Sequence, residues 1–171
     1  NLHQFAFFQD LKKAISCLGE DVETLLKNGE LHHILHEILM PKGLNYGHLP
    51  KAMIKFHAYK EGSRTPLEEH LTEAAFFATD AQGACRIHFT VSEEHLKQIA
   101  AFLAEIQAGY EKKLGVKFKI SLSTQTQASH TIAMEGEKLY RDRSGRLFLR
   151  PGGHGALLDN LNSIDGDIIF I

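Results

Sequence analysis

The chain has 171 residues, 43% of them hydrophobic, which is enough for one domain with its own core. A net charge of −2 and the lack of a basic stripe argue against nucleic-acid binding, and no run is apolar enough to span a membrane. Two unrelated cysteines, Cys17 and Cys85, predict buried or half-buried thiols, and with no signal-peptide pattern they favour a cytoplasmic protein.

Helical patterns fill the first fifty residues. Apolar residues recur at helical spacing over 8–18, and further helices are expected over 22–27 and 31–39, where Pro41 stops the last one. Residues 1–50 are therefore predicted to form a helical segment. The pattern leaves open whether this segment is a lid, an interface or an insertion.

A strong helix start follows after residue 50. Thr65 can cap the helix, Pro66 suits its first position, and Glu68 completes a capping box. Apolar residues from Leu67 to Ala78 then give the helix one buried face.

Strands alternate with helices over the rest of the chain. Alternating residues predict strands over 86–91 and 116–122, and a helix runs between them from Ser92 to Gly115. Short extended pieces are expected over 131–134 and 147–149, a short helix after Gly155, and a final buried strand over 167–171. This order predicts an α/β fold over 51–171, with a mostly parallel sheet and helical crossovers.

The stretch Arg150–Leu158 carries the most informative motif, in which three glycines (Gly152, Gly153 and Gly155) surround His154. Without Cβ atoms, this backbone can approach a ligand closely. The loop is expected to enter a helix, whose free N–H groups suit phosphate or a nucleotide ring acceptor. The alternative is a tight turn between a strand and a helix that leaves His154 exposed.

Two further polar residues stand where a ligand could meet them. Lys51 follows Pro50 and can neutralise a phosphate as a point charge, although an ordinary surface lysine is the alternative. Gln125 ends the second predicted strand, and ligands of open parallel sheets lie beyond such carboxyl ends. Its amide can pair with a base edge, unless this residue only begins a polar loop.

These motifs carry a resemblance to a known family. Pro50-Lys51-Ala52-Met53, the helix start at Thr65, the Gln125 strand end and Pro151-Gly152-Gly153-His154-Gly155-Ala156 occur in the order and approximate spacing of the UDP-sugar pyrophosphorylases. In those enzymes the corresponding glycine loop reads Pro-x-Gly-Asn-Gly-Gly. The whole chain also resembles a bacterial domain-of-unknown-function family that looks like a distant branch of the same group.

The resemblance implies a sugar nucleotidyltransferase with a Rossmann-like three-layer core. Lys51 would act on the phosphates as the catalytic cation, and Gln125 with the loop at 152–155 would bind the nucleotide base. His154 replaces the family's asparagine, so the base is left unassigned. The implied partners are a nucleoside triphosphate and a sugar phosphate, which react with release of pyrophosphate, and Mg²⁺ is the expected cofactor of the complete enzyme.

Two parts of such an enzyme have no counterpart in the sequence. The glycine-rich triphosphate loop is missing before Pro50, and the metal-binding aspartate should follow Ile171. Asp165 and Asp167 precede the final predicted strand and receive no metal role. We therefore expect a partial chain that is inactive by itself, with a non-catalytic nucleotide-binding or regulatory module and a ligand-free structural domain as alternatives.

Other catalytic arrangements find little support. His32 and His36 are spaced to chelate a metal, but no third ligand is indicated, so a solvated helix face is expected. Ser121, Ser123 and Ser129 lack the G-x-S-x-G elbow of a serine hydrolase.

Overall fold

A computed structural model describes residues 1–171, apart from the side chains of Gln127 and His154. The chain is mixed α/β and divides into two compact units, Asn1–Phe76 and Phe77–Ile171. The division at residue 50, which rests on a change of sequence pattern, stays a prediction.

The first unit contains the three predicted helices. They are α1 (Phe8–Cys17), α2 (Val22–Asn28) and α3 (Leu31–Leu39), and they bury a shared apolar cluster. Leu11 and Ile15 of α1 are fully buried within it. Helical spacing was therefore a sufficient guide to this part of the chain.

A hairpin and all but the last residue of a fourth helix complete the first unit. Strands β1 (His57–Tyr59) and β2 (Gly62–Arg64) pair in antiparallel fashion, and α4 (Pro66–Phe77) follows. The predicted capping box is confirmed: Thr65 N–H donates to Glu68 Oε2 at 2.7 Å, and Glu68 N–H donates to Thr65 Oγ1 at 3.3 Å.

The second unit is built around a parallel pair of strands joined by a long helix. Strand β3 (Ala84–Val91) pairs with β4 (Lys117–Thr124), and α5 (Leu96–Leu114) is the crossover between them. Gly115 ends α5 in the left-handed conformation, with φ of 71°. This βαβ arrangement confirms the predicted order of elements. The predicted start at Ser92 differs, because Ser92 begins a short 3₁₀ turn and makes no side-chain cap bond.

Short elements follow β4. Strands β5 (Thr131–Ile132) and β8 (Leu149–Arg150) pair with each other, as do β6 (Met134–Glu135) and β7 (Lys138–Leu139), and α6 (Leu158–Asn162) comes last. In the described part of the chain all four sheets have two strands, and only β3 with β4 is parallel. The larger, mostly parallel sheet is therefore not confirmed.

Two sequence predictions are wrong. No strand forms over 167–171, where Ile168 and Phe170 are 78% and 61% exposed. An apolar run becomes a strand only where another backbone segment pairs with it, and none of the described strands does so here. Cys17 is exposed, whereas Cys85 is buried as expected.

Among the described residues, no helix combines the length and apolar character needed to cross a membrane.

Candidate functional site

The parallel pair β3–β4 has one apolar face and one polar face. Its register places Ile87 opposite Ile120 on one face, and His88 opposite Ser121 on the other. On the apolar side α5 holds β4 directly, since Gln107 Nε2 donates to the carbonyl oxygen of Phe118 at 3.0 Å. The polar face and the carboxyl end of β4 therefore remain for other contacts.

Gln125 lies directly beyond the carboxyl end of β4, where the sequence placed it. Its Nε2 donates to Ser129 Oγ at 3.1 Å, and Ser129 Oγ donates to the carbonyl oxygen of Thr126 at 2.7 Å. Because that carbonyl can only accept, the serine proton is committed to it and the serine must accept from Gln125. This fixes the orientation of the Gln125 amide, and no described residue bonds its Oε1 or its second N–H.

The glycine loop comes to the same place. A Cβ built on Gly152 would lie 2.7 Å from the carbonyl oxygen of Ser129, 2.8 Å from the Ala156 Cβ and 3.4 Å from Gln125 Nε2. Only glycine fits such a close approach of two backbone segments. The structure therefore brings Gln125 and Gly152 together, and it explains Gly152 by packing within the chain.

Gly153 and Gly155 have different surroundings from Gly152. A Cβ on either residue would meet no atom within 4 Å. Neither has a positive φ, so the backbone does not demand glycine at these positions. Packing of the described residues therefore gives no reason for these two glycines, and the space beside them is open to a ligand.

Two predicted site residues, His154 and Lys51, have no described side-chain contact with Gln125 or Gly152. The side chain of His154 lies outside the described residues, although its backbone begins the 3₁₀ turn His154–Leu157. Lys51 is exposed and begins the 3₁₀ turn Lys51–Met53 in the first compact unit. Its role toward the phosphates stays a prediction.

A polar network that sequence analysis missed covers the other face of the strand pair. His88 Nδ1 lies 2.8 Å from Ser121 Oγ, and His88 Nε2 lies 2.8 Å from Ser123 Oγ. Asn160 of α6 donates from Nδ2 to Ser123 Oγ at 2.8 Å and to the carbonyl oxygen of Thr124 at 3.0 Å.

The signal for this network was the run of polar residues at alternate positions of two strands, such as His88 with Ser121 and Ser123. A serine beside a histidine suggests a nucleophile and its base. Here, however, Ser123 Oγ is also contacted by Asn160 and, at 3.2 Å, by Thr90 Oγ1. A hydroxyl with three hydrogen-bond partners within the chain has a structural role rather than that of a free nucleophile.

Asn160 is the most enclosed member of the network. It is only 8% exposed, and its Oδ1 atom is buried without a hydrogen-bond partner among the described residues. A buried acceptor without a partner costs free energy, so the amide must be kept for another reason that offsets this cost. The two bonds from its Nδ2 to the end of β4 supply that reason.

Two carboxylates with lowered pKa values lie at the opposite end of the strand pair. A hydrogen bond from Gln107, with others from Lys117 and the Phe118 backbone N–H, lowers the pKa of Glu111 to about 2. The pKa of Asp80 is lowered chiefly by the Ala84 backbone N–H, with help from Arg86. These carboxylates anchor the amino ends of β3 and β4, so we assign them to stability.

The described residues contain no group of three His, Cys, Asp or Glu side chains that could hold a metal ion. His32 is exposed, and His36 Nδ1 lies 3.1 Å from Glu37 Oε1. Neither residue receives a metal role.

Comparison with curated proteins and with solved structures finds no match. The family comparison matches residues 1–171, which is the whole chain, to a domain of unknown function. The resemblance to a domain-of-unknown-function family is thereby confirmed, and the chain belongs to the family described as domain of unknown function DUF4301.

Proposed function

We propose that Gln125 and the glycine loop bind the base of a nucleoside triphosphate, and that the chain is part of a sugar-1-phosphate nucleotidyltransferase. The proposal includes a nucleotidyltransferase-like, Rossmann-type core. The observation that carries it is the closeness of Gln125 to Gly152, since a Cβ built on this glycine would lie 3.4 Å from Gln125 Nε2. Two segments far apart in sequence meet there, at the carboxyl edge of a parallel strand pair.

The chemistry of this edge suits a nucleotide base. The oriented Gln125 amide has an acceptor, Oε1, and one N–H donor to offer, and nucleobase edges place a donor beside an acceptor. The open space at Gly153 lets a flat ring approach the backbone. These features support a base site without selecting one base.

In the proposed reaction, an oxygen of the sugar phosphate attacks the α-phosphate of the triphosphate and pyrophosphate leaves. The protein would mainly position the reactants and neutralise charge. Lys51 is the proposed phosphate cation. Mg²⁺ would supply further charge neutralisation in the complete enzyme, but the donor set of the described residues identifies no ligand for it.

Thermal shift against the common nucleoside triphosphates with Mg²⁺ tests the proposal, because a ligand of the native state raises its stability. We expect one nucleotide to give a selective shift. Gln125→Ala should reduce this shift, whereas Gln98→Ala, on the exposed side of α5, should keep it. No shift with any nucleotide at millimolar concentration would contradict the proposal.

One observation favours a second candidate function. His154 stands where the resembling enzymes have asparagine, which suits a module that binds nucleotide without catalysis. Selective nucleotide binding by the complete protein, with no pyrophosphate release on any sugar phosphate, would favour this regulatory reading.

A further inference from the structure

The hydrogen bonds of the polar network on β3 and β4 can be ordered from donor to acceptor, starting from the carbonyl acceptors at its two ends. At one end Asn160 Nδ2 lies 3.0 Å from the carbonyl oxygen of Thr124, which can only accept. The amide nitrogen must therefore face β4, and its other proton goes to Ser123 Oγ.

At the other end, Ser121 Oγ donates to the carbonyl oxygen of Ile87 at 3.4 Å. In the arrangement that keeps this bond, Ser121 accepts from His88 and the imidazole proton is on Nδ1. Nε2 is left as an acceptor, and Ser123 donates to it. Every bond from Asn160 to Ile87 therefore points the same way.

The Asn160 end of this network coincides with the candidate site. Thr124, whose carbonyl accepts from Asn160, directly precedes Gln125. Asn160 also lies three residues beyond Leu157, where the 3₁₀ turn of the glycine loop ends. One side chain thus ties the downstream end of the loop to the strand end that presents Gln125.

We propose that Asn160 is a positioning residue, which sets the glycine loop against Gln125 through its bond to the Thr124 carbonyl. The expected effect on nucleotide binding rests on the proposed function, whereas the hydrogen bonds of Asn160 do not depend on it. The positioning role accounts for a nearly fully buried amide whose Oδ1 has no partner among the described residues, since the two N–H donors of its nitrogen reach Thr124 and Ser123 together.

Asn160→Asp is the sharpest variant, because it keeps the shape and removes the donors. A carboxylate oxygen would face the Thr124 carbonyl and repel it. Ser123 would donate to the new carboxylate, His88 would donate from Nε2, and Ser121 would donate to Nδ1. The variant is therefore expected to reverse the network and switch the His88 tautomer.

Three readouts follow from this variant. Nitrogen-15 NMR of His88 should show the Nδ1–H tautomer in the native protein and the Nε2–H tautomer in Asn160→Asp. Exchange of the Ala156 amide, which donates to the Gly153 carbonyl at 2.9 Å, should become about tenfold faster as the loop loses its anchor, and nucleotide affinity should fall about tenfold. Loss of packing alone would not move a proton between the two ring nitrogens.

Ser123→Ala separates the bond between Asn160 and Thr124 from the rest of the network. It removes the Ser123 hydroxyl but keeps that bond, so loop exchange and nucleotide affinity should stay within about twofold of the native values. Loop exchange that rises as much in Ser123→Ala as in Asn160→Asp would overturn the proposal. So would loop exchange that stays at the native rate in a folded Asn160→Asp.

The outcomes also separate this inference from the proposed function. If the native protein binds no nucleotide, the nucleotide function fails, while the tautomer and exchange results still judge the role of Asn160. If nucleotide binds equally well to the native protein and to a tautomer-switched Asn160→Asp, the positioning role fails and the nucleotide function stands.

Discussion

At the scale of single residues, two neighbouring glycines have opposite surroundings and so invite a matched test. Gly152→Ala would drive a methyl group to within 2.8 Å of two atoms, and it should lower the free energy of unfolding by about 1–3 kcal/mol. Gly153→Ala meets no atom within 4 Å, so stability should be unchanged or rise by up to about 1 kcal/mol. Chemical denaturation measures both.

The same pair separates packing from ligand binding. The added methyl of Gly153→Ala enters the open space proposed for the base, so this variant should be stable and yet bind nucleotide more weakly. Full nucleotide affinity in Gly153→Ala would place the ligand elsewhere, whatever the result for Gly152.

Glu111 gives a prediction for pH dependence. Its folded pKa, about 2, lies below its ordinary value of 4.5, because Gln107, Lys117 and the Phe118 N–H all bond to the charged form. The stabilisation is therefore complete above about pH 4.5, and it is lost as pH falls toward 2. Between pH 6 and about pH 2, the free energy of unfolding should fall less steeply with decreasing pH in Glu111→Gln than in the native protein. The same pH dependence of the unfolding free energy in both proteins would show that Glu111 does not contribute to it.

At the scale of elements, two helix starts with similar sequence signals differ in the structure. Thr65 makes a reciprocal capping box with Glu68, whereas Ser92 makes no side-chain cap bond. Thr65→Ala should cost about 1 kcal/mol of unfolding free energy, and Ser92→Ala less than about 0.5 kcal/mol. Equal losses in urea denaturation would mean that the capping box adds nothing beyond a favourable residue type.

Elements with strong local signals were predictable from the sequence, and those that depend on a partner segment were not. Helical spacing and capping residues located α1 to α4, because those signals act within a few residues. Hairpin β1–β2 was missed, since three-residue strands show no useful alternation. The segment 167–171 alternates little and pairs with no described strand, so its apolar composition misled the strand prediction.

At the scale of the whole molecule, strand order together with the family resemblance predicted one feature of the candidate site. A strand end and a glycine loop were expected to converge, and Gln125 with Gly152 does so. The network of His88, Ser123 and Asn160 was out of reach, because it depends on the register of β3 with β4 and on the placement of α6. Neither is encoded in any local pattern.

Lys51 belongs to the first compact unit, and only the resemblance assigns it to the phosphates. If that role is correct, Lys51→Ala should weaken binding of the triphosphate several-fold and leave binding of the matching nucleoside unchanged. Lys60→Ala, an exposed lysine of the β1–β2 loop, is the control. Equal losses for triphosphate and nucleoside in calorimetric titration would argue against a phosphate contact.

The most direct test of the proposed base site at Gln125 and the glycine loop is NMR. The backbone amide shifts are mapped on addition of the nucleotide that gives the selective thermal shift. We expect the largest shifts over 124–129 and 151–157, at the carboxyl end of β4 and in the glycine loop. Shifts confined to the opposite end of the strand pair, around Gly83 and Gly115, would contradict the proposed base site, and so would the absence of a response to every nucleoside triphosphate.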